Sequence, residues 1–159
     1  MSWRGSTTIQ DRIFSSLPYL LPLTSSIGFS SAVLQEVPTL GTLLAPLLLP
    51  VLWIYQTLPF ASLIIFFGLF LLVVRNEKVP HMIRFNTMQA LLVDILMVVI
   101  GLVLPILGRV DSSNLVVVAL SSTVFIGVLA IVIFSVVQSL RGLYAEIPTL
   151  SDAAYMQVR

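Results

Sequence analysis

From Val37 to Val74 the chain runs without one charged side chain. A single helix over that stretch would be about 57 Å long at 1.5 Å per residue. The hydrocarbon core of a bilayer is only about 30 Å thick. The stretch therefore reads as two spans, Thr39 to Tyr55 and Pro59 to Val74. Between them Gln56, Thr57 and Pro59 predict a tight hairpin. Two further apolar stretches, Arg84 to Leu107 and Leu115 to Ser139, predict a third and a fourth span. Charged residues make up only 9% of the 159-residue chain and hydrophobic ones 58%, whereas soluble domains carry about 25% charged residues. The expectation is an all-α integral membrane protein, with a four-helix transmembrane domain over 37–142.

Residues 1–36 form a polar start followed by an uncharged, Ser-rich segment broken by Pro18 and Pro22. Its apolar residues cluster at Ile13 to Leu23, which predicts an amphipathic helix lying at the membrane interface. The positive-inside rule supports four spans over five. Four spans place Arg4, Arg12, Arg75, Lys78, Arg84, Arg141 and Arg159 on one face, and only Arg109 on the other. Both termini then lie on the cytosolic or stromal side, with 143–159 as a C-terminal tail. The opening residues lack the Arg- and Ser-rich, acid-poor character of an organellar transit peptide.

Several function classes drop out. Charges are few and scattered, so no basic face is offered to nucleic acid. The chain has no cysteine and a single histidine, His81. Thiol chemistry and a His-based metal cluster within one chain are thereby removed. No G-x-S-x-G or H-E-x-x-H pattern is present. No catalytic residue, cofactor or metal is expected. Pro46 and Pro50, one turn apart in the first span, are candidate hinge or kink positions. The matching stretches "EVPTL" at Glu36 and "EIPTL" at Glu146 each offer a proline at a helix boundary.

The one full charge inside a span is Asp94, about 15 Å along the helix from Arg84. A central Asp costs roughly 2.5–3.5 kcal/mol on insertion scales, so something must offset it. Asn86, Ala90 and Asp94 fall at i, i+4 and i+8, with Gln89 beside them, so this stripe should face protein. If spans three and four are antiparallel, residues at equal depth have numbers summing to about 223. Gln89 then meets Ser135 and Asn86 meets Gln138, while Gly127 and Ala130 allow close approach beside Asp94. The amides read as interhelical glue. Asp94 reads equally as a packing group and as the lining of a polar path or substrate site.

Longer stretches carry a family resemblance. "VVRNEKVPHMIRFNTMQALLVDIL", "VFIGVLAIVIFSVVQSLRGLYAEIP" and "SDAAYMQV" resemble the chloroplast inner-envelope translocon family. That family comprises the twenty-kilodalton Tic subunit and its cyanobacterial and plastid-encoded relatives. "SLPYLLPL" and "LPFASLIIFFGLFLLVVRN" are similar to it as well, so the likeness extends from about Asp11 to Val158. It implies a non-enzymatic membrane subunit of a preprotein-import machinery, contributing to a channel with partners. Other membrane subunits or further copies, the lipid bilayer and a preprotein are the implied partners. Plant members carry a transit peptide, and its lack here points to a cyanobacterial or plastid-encoded member. The location implied is the chloroplast inner envelope, or a cyanobacterial plasma or thylakoid membrane. Alternatives are a small-solute transporter or channel using Asp94, or an assembly subunit of a larger photosynthetic-membrane complex.

Overall fold

The computed structural model describes residues 7–110 and 115–158, with only the backbone path described for Arg109 and Val110. The described residues form helices and no strand. Thr8 and Asp11 close a capping box that starts α1, Ile9–Ser16. Pro18 then opens a 3-10 turn at Leu17–Tyr19, which leads into α2, Leu20–Ser26. A second 3-10 turn, Ile27–Phe29, precedes α3, Ser31–Glu36. Pro38 sits in the first turn of α4, Pro38–Thr57, where its missing N–H costs nothing. Next come α5, Ala61–Leu69, continued by a π-helical turn at Phe70–Val74, then α6, His81–Val110. Helix α7 covers Leu115–Leu140 and α8 covers Leu150–Gln157.

Three helices are long and apolar enough to cross a membrane: α4, α6 over His81–Gly108, and α7. Where the second span is expected, Pro59 to Val74, the structure has a shorter apolar helix, Ala61–Val74. It rises about 21 Å, too little to cross a bilayer alone.

The N-terminal segment does not lie apart from the bundle, as an interfacial helix would. It climbs along α6 in the same sense. The Tyr19 hydroxyl donates to Asn86 Oδ1, Ser25 Oγ donates to Asp94 Oδ1, and the Phe29 ring lies 3.6 Å from where a Gly101 Cβ would be. Tyr19, Leu21, Leu23 and Thr24 are buried by this docking. At its start the segment keeps an exposed apolar stripe, Ile9, Ile13, Phe14 and Leu17.

The hairpin expected at Gln56–Phe60 is also absent. The chain reverses earlier, at Val37, where Leu34 of α3 packs on Gly41 of α4 and α2 packs further along α4. Helix α4 therefore runs antiparallel to α2 and α6. Helix α5 shares that sense, because Ser62 lies level with Asp94 and the Val74 carbonyl accepts from Arg84 Nε. Pro59 ends α4, and Phe60 at φ 58° turns the chain into α5 without reversing it. Together α4 and α5 make one broken pass. The chain runs along the bundle as 9–36, 38–74, α6 and α7, and of these stretches only α4, α6 and α7 are helices long and apolar enough to cross a membrane among the described residues. Helix α4 continues through both Pro46 and Pro50, and the pass breaks at Pro59.

Two apolar clusters hold the passes together. Tyr19, Leu23, Leu44, Leu48, Val93 and Phe125 join the first pass to α4, α6 and α7. Leu21, Val74, Phe85, Leu91 and Ala154 join α5, α6 and α8. Arg12 lies against Gly142, and Arg75, Lys78, Arg84 and Arg141 occupy the same end of the bundle. Arg4, Asp111 and Arg159, and the Arg109 side chain, lie outside the described residues.

Candidate functional site: a carboxylate cleft at a broken helix

Asp94 sits halfway along α6 and is only 6% exposed. Its Oδ1 accepts a 2.6 Å hydrogen bond from Ser25 Oγ on α2. The start of α5 faces the same space, since Ser62 and Asp94 line two neighbouring cavities. The free N–H groups of a helix's first turn favour negative charge beside them. The break between α4 and α5 thus brings Ser62, in the first turn of α5, to the cavities that Asp94 lines at mid-bundle.

The larger cavity encloses about 620 Å³ between the first pass, the α4–α5 junction, α6 and α7. Thr24, Ser25, Tyr55, Ser62, Asp94 and Ser121 supply its polar groups, set among Phe29, Leu52, Met97 and Leu104. Ligand clefts span roughly 300–1,000 Å³ with a few polar groups on apolar walls, and this one matches in size and lining. The Tyr55 hydroxyl is buried there and makes no hydrogen bond among the described residues. No group of three His, Cys, Asp or Glu side chains stands close enough to hold a metal, among the described residues.

The polar stripe below Asp94 is interhelical, but its partners differ from the expected ones. Asn86 Oδ1 accepts from Tyr19 and from Ser139 Oγ at 3.3 Å, and Asn86 Nδ2 donates to the Met82 carbonyl. Depth matching is therefore good to one residue, with Ser139 taking the place of Gln138. Gln89 turns away from α7 altogether. Its Nε2 donates to the Ala145 carbonyl at 2.9 Å, and its Oε1 accepts from Ser151 Oγ at 3.2 Å. Ser135 Oγ is buried beside the Tyr19 hydroxyl without hydrogen-bond geometry, and Gln138 Oε1 is buried without a partner. Gly127 and Ala130 point outward and offer nothing to Asp94.

Two features escape a reading of the sequence. Ser25 and Ser62 carry no signal that distinguishes them from the other serines nearby. The C-terminal tail is the second. From the sequence His81 reads as a solvated loop or headgroup-level residue, and in the structure its Nδ1 lies 3.1 Å from the Tyr144 hydroxyl and its Nε2 3.3 Å from the Val158 carbonyl. Phe85 packs at 5.2 Å from the Tyr144 ring and 4.5 Å from the Tyr155 ring. Tail and α6 are stitched from His81 to Gln89. The aromatic and amide side chains of His81, Phe85 and Gln89, one turn apart along about two turns of α6, are the signal that could have found it.

Residues 8–154 match the family described as "Chloroplast import apparatus Tic20-like". A "Tic20 family protein" of Synechocystis sp. is 46% identical over 151 residues, covering 94% of each chain. "Protein TIC 20-II, chloroplastic" of Arabidopsis thaliana is 34% identical, over 96% of this chain and 74% of its own length. "Tic20 family protein Ycf60" of Gracilaria tenuistipitata var. liui is 35% identical, over 95% of this chain and 76% of its own. With a match across nearly its whole length, and with relatives from cyanobacteria, plastids and plants, the chain belongs to the Tic20 family.

Proposed function

We propose that this chain is a non-enzymatic membrane subunit of a protein-translocation machinery. The observation that carries the reading is the broken α4–α5 pass, which opens a polar cleft at Asp94 inside an otherwise apolar bundle. Membership of a family described by its place in chloroplast import supports it. Four passes cross the bilayer, the second of them composed of α4 and α5, and both termini lie at the cationic end. The clustering of Arg12, Arg75, Lys78, Arg84 and Arg141 supports that orientation.

A cleft of this size does not hold a folded chain or a peptide-wide pore within one copy. Passage of a polypeptide therefore needs several subunits around the path. The test arrests a translocating polypeptide in native membranes and maps crosslinks from single positions on this chain. Adducts to the arrested polypeptide that vanish when it clears the membrane support the role. Their absence at every position around the cleft overturns it.

A second reading rests on the cleft alone. One carboxylate, several hydroxyls and a volume of about 620 Å³ also suit a small cationic solute. Substrate-dependent uptake by the purified chain in proteoliposomes, abolished by Asp94→Asn, favours that reading over the first.

A further inference from the structure

We propose that Asp94 receives one basic side chain, Lys or Arg, from a transmembrane helix of a partner subunit seated in the groove between α5 and α6. The inference rests on the reading above that the chain is one subunit of a larger membrane assembly.

The groove is a separate opening onto the same carboxylate. It encloses about 260 Å³ between Ser62, Leu63, Phe66 and Phe67 on α5 and Ile95 and Val98 on α6, with Asp94 on its inner wall. Helix α5 begins at Ala61, level with Asp94, and runs towards Arg84. Beyond Asp94 no helix among the described residues covers this face of α6, where Val98, Leu102 and Ile106 are 58%, 67% and 61% exposed. From Asp94 to Gly108 the bare face extends about 21 Å, more than the depth of one bilayer leaflet. A helix laid there meets apolar side chains along its length and one carboxylate at its end.

The chemistry of that carboxylate calls for a cation. Ser25 holds Oδ1, but burial among apolar side chains disfavours a bare charge, so a basic side chain entering from outside would offset that cost. An ionised group within a membrane is paired in nearly every case. This chain cannot provide the partner. Its eight Lys and Arg residues stand at positions 4, 12, 75, 78, 84, 109, 141 and 159, and its one His at 81. None lies inside α4, α5 or α7, and those of α6 lie at its ends. A second copy fails for the same reason, since it too has no cation at mid-depth. A polypeptide in transit is a poorer occupant. Its backbone and varied side chains need a hydrated wall, and this groove offers one charge on an apolar surface.

The test places a photo-reactive amino acid at Phe67 or Val98 of the full chain in its native membrane, with exposed Ile133 of α7 as control. Adducts are identified by mass spectrometry. The expected product forms from the two groove positions and not from Ile133, and is an integral membrane protein with Lys or Arg in the middle of a span. Its yield falls about tenfold or more with Asp94→Asn, as loss of a buried pair requires. It persists with Asp94→Glu and returns when Asp94→Lys is combined with an acidic replacement of the partner's basic residue. Yield unchanged by Asp94→Asn, a partner without a basic residue in its span, or adducts to lipid or polypeptide in transit alone each overturn the inference. Crosslinks to an arrested translocating polypeptide are scored in the same membranes. If these persist while no subunit occupies the groove, the pairing falls and the translocation role stands.

Discussion

Ser25 donates its hydroxyl to Asp94 Oδ1 at 2.6 Å, tying the middle of the first pass to the middle of α6. The bond solves two problems with one contact. It gives a carboxylate in an apolar bundle a donor, and it fixes a segment broken by two 3-10 turns against a continuous helix. Loss of a hydrogen bond to a charged group costs about 1.5–3 kcal/mol. Ser25→Ala should therefore lower the unfolding temperature of the detergent-solubilised protein, while Ser16→Ala, which only loses a local bond to the Ile13 carbonyl, should change it little. Equal stability of the two variants would remove Ser25 from its place in the site.

Asp94→Asn keeps the shape and the bond to Ser25 but removes the charge. Expected is normal insertion and abundance with loss of activity, measured by complementation at matched membrane levels. Full complementation would reduce Asp94 to a packing group.

The reversal at Val37 makes a sharp topological claim. The chain has no native cysteine, so single cysteines report cleanly. Cysteines at Glu36 and Lys78 should label from opposite sides of the membrane, and cysteines at Lys78 and Arg141 from the same side. An interfacial first segment would instead place Glu36 with Lys78.

Gln89 holds the tail through Ala145 and Ser151, inside a site where all three residues are buried. Gln89→Leu strands the Ala145 carbonyl, at about 1–3 kcal/mol for a buried group left unsatisfied, and takes the acceptor from the Ser151 hydroxyl, which keeps its bond from the Ile147 N–H. The tail should then be cut faster by protease added to the cationic side, while the α6–α7 core remains intact. An unchanged cleavage rate would show that the aromatic contacts of Phe85 with Tyr144 and Tyr155 suffice alone.

Two left-handed residues should respond in opposite ways. Phe60 sits at φ 58° and is 76% exposed, so Phe60→Gly relieves strain of about 1 kcal/mol with little packing lost. Gly142 sits at φ 76°, and a Cβ there would stand 2.7 Å from Thr7 Oγ1 and 3.0 Å from Arg12 Nε. Gly142→Ala should destabilise by about 1–3 kcal/mol and loosen the first pass from α7. Thermal unfolding of both variants in one detergent decides the signs.

The helices themselves were written in the sequence. Long uncharged runs flanked by Arg75, Arg84 and Arg141 set α4 through α7 to within a few residues, because a continuous apolar run in lipid satisfies its backbone within one helix, whereas barrel strands alternate. The i, i+4, i+8 spacing of Asn86, Ala90 and Asp94 likewise fixed which face of α6 meets protein. The path of the chain between helices was not legible in this way. Pro59 marks a break equally well for a hairpin and for a bend, since proline stops a helix without setting the direction of the next one. Only the docking of Leu34 on Gly41 and of Ser62 beside Asp94 decided that α4 and α5 share one sense. The hydrogen-bond partners had the same dependence. An amide in an apolar bundle must be satisfied, but Gln89 could have turned to Ser135 on α7 or to Ser151 on the tail. Packing of the aromatic cluster brought α8 over it, and the tail took the bond.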